Sequence, residues 1–321
     1  MTDTTRPKRY RMVSKYYKET YGEKVYKLPV ALPLTCPNRD GSAGVGGCTF
    51  CGEIGAGYEN RPAWMTVRMQ LEENIAHIGP KYKAKKFIPY YQNFSNTYLG
   101  LDDFKSYMEQ GCIEEAVGIA IATRPDCIAD EYLDILADIR DRFQKDIYIE
   151  LGLQTVNYDT LEKINRGHDL AQFIDAVLRI KRYGFNVTTH MIVNLPWDTM
   201  KDTIEGARIL SALGVDQVKL HALYIVKNTL MAKWYQEGQF TLISAEEYAD
   251  RVVNFVRHLH PDIVLQRLVG RAPEGNTLFT NWSMGWWRVQ DLIDDKLDEL
   301  DAHQGDLCDY LNGKAVRKFI D

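Results

Sequence analysis

The chain has 321 residues, 45% of them hydrophobic, and a formal net charge of −5. That length accommodates two ordinary domains or one large α/β barrel with a substantial core, and no apolar run is long enough to cross a bilayer. The start, Met1-Thr2-Asp3-Thr4-Thr5-Arg6, is too polar for a signal peptide, so a cytoplasmic chain is expected, and the acidic total makes the basic clusters at Arg6 to Arg11, Lys81 to Lys86 and Lys314 to Lys318 read first as solvated faces.

Taken in chain order, short apolar runs alternate with helical patterns. Val30 to Leu34 leads directly into a glycine-rich stretch, "TCPNRDGSAGVGGCTFCGEIGAG", from Thr35 to Gly57. Helical Met69 to Ile78 precedes the run Phe87 to Tyr91, Phe104 to Glu109 precedes Val117 to Ile121, and Tyr132 to Arg142 precedes Ile147 to Leu151. Ala171 to Tyr183 then precedes Val187 to Val193, and Lys201 to Leu213 precedes Gln217 to Val226. Six βα units of this kind predict an α/β chain forming a partial (β/α)6 TIM-like barrel of parallel strands, open on one side, with its chemistry just past the strand C-termini. After Ile263 to Val269 the pattern changes to a tryptophan-rich stretch, Asn281 to Trp287, and an acidic helical one, Asp291 to Asp301. The expected division is an N-terminal extension over 1–24, the barrel over 25–270 and a mostly helical C-terminal cap over 271–321. Trp282, Trp286 and Trp287 read as core more readily than as a stacking surface.

Three of the six cysteines, Cys36, Cys48 and Cys51, fall in the glycine-rich loop at C-x11-C-x2-C spacing. Six unevenly spaced cysteines in a reducing compartment argue for ligation or catalysis rather than a disulfide framework. Three thiolates on one loop can ligate three corners of a cubane cluster and leave the fourth iron open. A structural zinc site needs four closed ligands, and the loop holds neither a second CxxC nor a histidine. A CxxC alone also suits a thioredoxin-like redox pair, against which the third cysteine and the position after the first strand both weigh. The isolated Cys112, Cys127 and Cys308 read as small buried hydrophobes.

With Phe50 inside Cys48-Thr49-Phe50-Cys51, this loop resembles the cluster loop of the radical S-adenosylmethionine enzymes. Its wide first spacing resembles the Elongator catalytic subunit family, and "TCPNRDG" followed by "GGCTFC" more closely the smaller YhcC-like family. "ELGLQTVNYDTLEKINRGHD", Glu150 to Asp169, is similar to the fourth-strand segment of the Elongator-type and coproporphyrinogen-oxidase-type enzymes. There a glutamine at the strand end and an arginine on the next helix contact S-adenosylmethionine, and Gln154 and Arg166 match them. A guanidinium suits the methionyl carboxylate and an amide suits ribose hydroxyls; the plainer reading is that Arg166 caps a helix or pairs with Asp169. "TRPD", Thr123 to Asp126, resembles the Elongator family's third strand end, but Ala122 stands where an acidic residue is expected, so no ribose contact is assigned there. "HMIVNLPWDT" resembles the fifth-strand motif, with His190 facing the ribose and Asn194, Leu195 and Pro196 aligned behind it, whereas a lone histidine is otherwise a core residue. "YYQNFSNTY" replaces the double-glycine motif, and Gln92, Asn93, Ser95, Asn96 and Thr97 offer acceptors for the methionyl ammonium.

The resemblance therefore implies a 4Fe-4S cluster on Cys36, Cys48 and Cys51, and S-adenosylmethionine contacts from Phe50, Gln92, Asn93, Asn96, Gln154, Arg166, His190 and Asn194. It implies reductive cleavage to methionine and a 5′-deoxyadenosyl radical that abstracts hydrogen from a substrate, with an electron donor of flavodoxin or ferredoxin type. RNA is the first substrate class to consider, by family analogy and the basic clusters, although Lys81, Lys83, Lys85 and Lys86 precede the second strand and so belong to the barrel face opposite the active site. A small metabolite or a protein side chain is the other class. The alternative from outside enzymology, an iron-sulfur electron carrier or structural cluster protein, requires a fourth protein ligand and has no use for Gln154 and Arg166.

Overall fold

The computed structural model describes residues 7–53, 55, 57–271 and 275–320. Residues 1–6, with Arg6 of the first basic cluster and the polar start, lie outside the described residues, as do 54 and 56 of the cysteine loop, 272–274 and 321.

Helix α1 (Val13–Tyr21) and strand β1 (Val25–Val30) precede the single turn α2 (Pro37–Asp40); α3 (Val67–Tyr82) leads to β2 (Lys86–Tyr91), α4 (Leu101–Gly111) to β3 (Gly118–Thr123), and α5 (Asp130–Phe143) to β4 (Asp146–Gln154). Next, α6 (Tyr158–Lys163) and α7 (Leu170–Arg182) lead to β5 (Asn186–Ile192), and α8 (Met200–Leu213) to β6 (Gln217–His221). The chain ends with β7 (Ile225–Val226), α9 (Leu230–Gln236), α10 (Ala245–His258), β8 (Val264–Arg267), β9 (Thr277–Phe279) and α11 (Trp286–Glu299). One sheet holds seven strands in the order β1-β2-β3-β4-β5-β6-β8, all paired in parallel, and curls into a half-barrel; β7 and β9 pair antiparallel apart from it. The expected partial barrel is present, with a seventh strand, β8, in the run Ile263 to Val269 that closes the expected barrel region.

Side-chain alternation divides the sheet into two faces. Outward go Ile119, Ile121, Ile147, Ile149, Leu151 and Val187, packed with helix residues such as Leu136, Phe173, Leu210 and Val252 in one core. Inward go Ile88, Tyr90, Ala120, Ala122 and Tyr148, which meet Tyr17 of α1. The Tyr17 and Tyr148 rings stand edge to face with centroids 6.2 Å apart, and the Tyr21 hydroxyl lies 2.5 Å from that of Tyr148, so α1 plugs the N-terminal end of the lumen. The free edge of β8 is covered as well: Met12 bridges Leu265 in parallel, and Leu265 N–H donates to the Arg11 carbonyl at 2.8 Å. Lys8 and Arg9 form ion pairs with Asp294 and Asp298 of α11, which packs on α10.

Some element positions depart from the sequence reading. β1 lies upstream of Val30 to Leu34, because Pro33 has no N–H for a ladder and Lys27 interrupts the apolar run only to point into the lumen. β6 stops at His221 instead of running to Val226, and the Leu223 N–H is taken by Asn194 Oδ1 at 2.6 Å. Arg166 follows α6 in a turn rather than standing on a helix. Trp282 packs against the core and donates to the Ile243 carbonyl at 2.7 Å, whereas Trp286 and Trp287 are 39% and 42% exposed, so the core reading holds for the first alone.

Candidate functional site

The cysteine loop leaves β1 and folds over the C-terminal end of the half-barrel. Cys36 immediately precedes α2, and Cys48 and Cys51 share a turn closed by Cys51 N–H on the Cys48 carbonyl at 2.9 Å. The loop is pinned through its backbone: Thr49 N–H donates to the Ile164 carbonyl at 3.0 Å, Met231 N–H to the Thr49 carbonyl at 2.9 Å, and Asn165 Nδ2 to the Gly47 carbonyl at 2.8 Å. All three cysteines line one cavity of about 160 Å³ together with Phe50, Gln92, Gln154, Arg166 and His190.

Donors converge on the sulfurs. Arg166 Nη1 lies 3.4 Å and Asn38 Nδ2 3.6 Å from Cys48 Sγ, and Arg39 Nη2 lies 3.4 Å from Cys51 Sγ. Burial, followed by the neighbouring Cys48, pushes the Cys51 thiol up, and Arg39 opposes that shift. Such donors suit thiolate ligands, whose charge needs compensation in a closed site. Among the described residues no three His, Cys, Asp or Glu side chains converge closely enough to hold one metal ion. The loop supplies three thiols and no fourth cysteine or histidine ligand, one short of a closed tetrahedral zinc centre.

Arg166 stands on the cavity wall and is held there by the surrounding backbone. Its Nη2 and Nε donate to the Gly152 carbonyl at 2.6 and 3.2 Å, and its own carbonyl accepts from Arg124 Nη1 at 2.8 Å. Arg124 is in turn clamped by both carboxylate oxygens of Asp126, at 2.9 and 2.6 Å, so "TRPD" braces the arginine turn. A Cβ at Gly152 would stand 2.8 Å from both Arg166 Nη2 and Gln154 Nε2, so a larger residue there would push these two side-chain ends from their present positions. The β4–β5 register shifts between Gly152 and Gln154, and Gln154 has φ 79, a left-handed backbone that turns its side chain to the cavity. His168, with Nε2 3.1 Å from the Gly152 carbonyl, is held neutral: burial, then Arg166 and Arg124, push its pKa down to about 2.

The structure does not bring Asn93, Asn96 and Asn194 to the cavity wall. The Asn93 amide pairs with both backbone groups of Leu32, at 3.1 and 2.8 Å. Asn96 Nδ2 donates to the carbonyls of Tyr91, Asn93 and Ala122, and Asn194 Oδ1 serves Leu223, leaving Asn96 Oδ1 and Asn194 Nδ2 without partners. Buried backbone at strand ends has to be satisfied, and these amides do that work. Gln92 lies on the wall, its Nε2 2.5 Å from Asn60 Oδ1. Cys112, Cys127 and Cys308 are free and half-buried rather than fully buried; burial pushes the Cys112 thiol up to about 11 and the Cys127 thiol up to about 12.

Sequence reasoning missed the layer beneath. Inside the lumen Glu150 of β4, with a fully buried side chain, pairs with Lys27 of β1, with Lys219 of β6 at 3.2 Å and with His190 Nε2 at 2.7 Å. Lys219 Nζ also stands 3.2 Å from the Tyr90 hydroxyl, and Gln266 of β8 links the layer to Thr188 and Gln217. Burial raises the Glu150 carboxyl, but Lys219 and Lys27 outweigh that and hold it well below the usual range. His190, pushed down to about 4 by burial and Lys219, is a neutral partner. Glu150, His190 and Tyr90 form part of the cavity wall. A single charge in the middle of each apolar strand, as in "VYKLPV", "DIYIELGLQ" and "QVKLH", was the available signal, because strand residues of that kind stay charged in a core only when paired.

Comparison with known proteins agrees with this geometry. The sequence profile of the Radical SAM superfamily matches residues 37–210, and that of the Radical_SAM C-terminal domain matches residues 215–299. The uncharacterized protein YtqA of Bacillus subtilis is 33% identical over 312 residues, 96% of each chain, and Protein YhcC of Escherichia coli is 33% identical over 281 residues, 87% of this chain and 89% of the other. Among solved structures, the archaeal Elp3 of Methanocaldococcus infernus superposes with a TM-score of 0.66 over 87% of this chain and 64% of that longer one; at 13% identity the likeness is one of fold.

Proposed function

This chain belongs to the Radical SAM superfamily, and we propose that it is an enzyme holding a 4Fe-4S cluster on Cys36, Cys48 and Cys51 with S-adenosylmethionine beside it. The observation that carries the reading is the meeting, in one cavity, of three unpaired thiols, their hydrogen-bond donors and Arg166. When bound, the two groups supply a 5′-deoxyadenosyl radical by one-electron reductive cleavage, and that radical removes a hydrogen atom from substrate.

The chain's own residues bind, orient and exclude water. Arg39 and Asn38 stabilise the thiolate charge, and Arg166, fixed by the Gly152 carbonyl and the Arg124–Asp126 pair, takes the methionyl carboxylate. Gln154 and His190 meet the ribose, Gln92 receives the ammonium end, and Phe50 shields the site from water. An external donor of flavodoxin or ferredoxin type supplies the electron. We place the enzyme in the cytoplasm, where six free cysteines stay reduced, and divide it into an extension (1–24), a barrel (25–270) and a cap (271–321). RNA is the substrate class suggested by the resemblance, and a salt-dependent affinity for transfer RNA tests it.

Anaerobic reconstitution tests the ligand set. Wild-type protein takes up one 4Fe-4S cluster, whereas Cys36→Ala, Cys48→Ala and Cys51→Ala each leave it colourless, and Cys112→Ala, Cys127→Ala and Cys308→Ala leave iron content unchanged. Full iron occupancy in Cys51→Ala, or stoichiometric zinc in the wild type, contradicts the assignment.

A further inference from the structure

The ionic layer carries more positive charge than it neutralises. Lys27, Lys219 and Arg267 all lie within reach of Glu150, the one carboxylate among the leading influences on Lys219 and Arg267. His190 and His221 add no negative charge. Burial pushes the Lys219 ammonium down to about 7 against the pull of Glu150, and burial pulls the Arg267 guanidinium below its ordinary value. Uncompensated cations in a low-dielectric site are expensive unless an anion joins them.

Arg267 is the cation least provided for. It ends β8, keeps part of its surface open and makes no salt bridge among the described residues. Its Nη2 rests 2.7 Å from Nδ1 and 3.0 Å from Nε2 of His221, a neutral imidazole, and its Nε is buried without a partner. His221 stands with its ring 5.4 Å from that of His190, which lines the cysteine cavity, and Tyr224 and Tyr90 lie close to the guanidinium. The cysteine loop follows β1 and Arg267 ends β8, the two edge strands of the sheet order, and Tyr224 lies within electrostatic reach of both Arg267 and Cys51.

We propose that Arg267, with Lys219 and His221 beside it, binds an oxyanion of the substrate, a carboxylate or a phosphate group, and so anchors the substrate next to the cavity that the cysteine loop lines. A guanidinium is the natural fork for either group, and the unpartnered Nε of Arg267 is a donor available to it. The inference rests on the proposed function, because that reading places the cofactor at the cysteine loop and leaves this end of the lumen to substrate.

Equilibrium dialysis of cluster-reconstituted protein saturated with S-adenosylmethionine, against radiolabelled inorganic phosphate in one arm and succinate in the other, tests it. One anion per chain is expected in at least one arm, phosphate binding pointing to a phosphate group and succinate binding to a carboxylate. Arg267→Gln should weaken binding about tenfold or more, the loss of a charge-assisted contact, and Arg267→Lys should recover part of it. Circular dichroism and iron content establish that the variants are folded. Equal affinity in wild type and Arg267→Gln, no binding of either anion, or competitive displacement by excess S-adenosylmethionine overturns the proposal, the last by assigning these cations to the cofactor's own carboxylate. Protein that forms 5′-deoxyadenosine but binds neither anion sinks the anion site alone. Protein that binds phosphate yet forms no 5′-deoxyadenosine sinks the proposed function and leaves the anion site standing.

Discussion

The two faces of the seven-stranded sheet are made by the same strands and obey different rules. Outward, Ile121, Ile149 and Leu151 are completely buried among helix side chains, and any volume-matched apolar residue would serve there. Inward, one residue along from Ile149 and Leu151, stands Glu150, whose burial is tolerable only because Lys27, Lys219 and His190 surround it. The outer face holds the fold, while the inner face invests stability in a charged floor under a cavity.

The strongest test of that contrast removes the charge that organises the floor. Glu150→Gln should destabilise the protein by about 3 to 5 kcal/mol in chemical denaturation, because the lysines lose their counter-charge in a buried site. Adding Lys219→Met should restore part of the loss, whereas a conservative outward change, Ile149→Val, should cost only about 0.5 to 1.5 kcal/mol. A neutral response to Glu150→Gln would mean that the layer is hydrated and the contrast false.

At the rim, where loops replace strands, the expected effect is on binding. Arg166→Ala should weaken S-adenosylmethionine binding by about 1.5 to 3 kcal/mol, measured by dialysis, with cluster content unchanged. Unaltered affinity would reduce Arg166 to a brace for the Gly152 carbonyl.

The inner face should also respond to acid where the outer face cannot. The folded-state pKa of His190, about 4, lies below its unfolded value of 6.5, so its contribution is fully present above about pH 6.5 and is lost as pH falls toward 4. Between pH 6.5 and about 5 this removes about 1.5 to 2 kcal/mol, and neutral, buried His168 adds a loss of the same sign. The pH dependence of the denaturation midpoint checks this, and His190→Gln should flatten it. The smallest effect belongs to the solvated side: changing Lys81, Lys83 and Lys85 to Glu should shift stability by no more than about 0.5 kcal/mol each.

Much of this was legible in the sequence, and the parts that were not share a cause. β2 to β5 were found because their apolar runs end in turn chemistry, and the cysteine loop because three of the six cysteines gather in one glycine-rich stretch after the first strand. β1 was displaced because Lys27 looks like a break when read locally and becomes intelligible only with Glu150, which is 123 residues away. Asn93, Asn96 and Asn194 matched motif positions, yet strand ends with unpaired backbone claimed their side chains, and no one-dimensional pattern distinguishes an amide that meets a ligand from one that meets a carbonyl. α10 carried an ordinary signal, the Ser244 cap accepting from Glu247 N–H ahead of buried Tyr248, Val252 and Val256, but it follows the last of the six βα units counted from the apolar runs.

Radical chemistry at the rim cavity, rather than electron storage, is the proposal most directly open to measurement. Anaerobic, cluster-loaded protein should be reduced with dithionite in the presence of S-adenosylmethionine and the products separated by chromatography. Slow formation of 5′-deoxyadenosine and methionine without added substrate is the predicted result; a fully reduced, fully loaded cluster that leaves S-adenosylmethionine intact would contradict it.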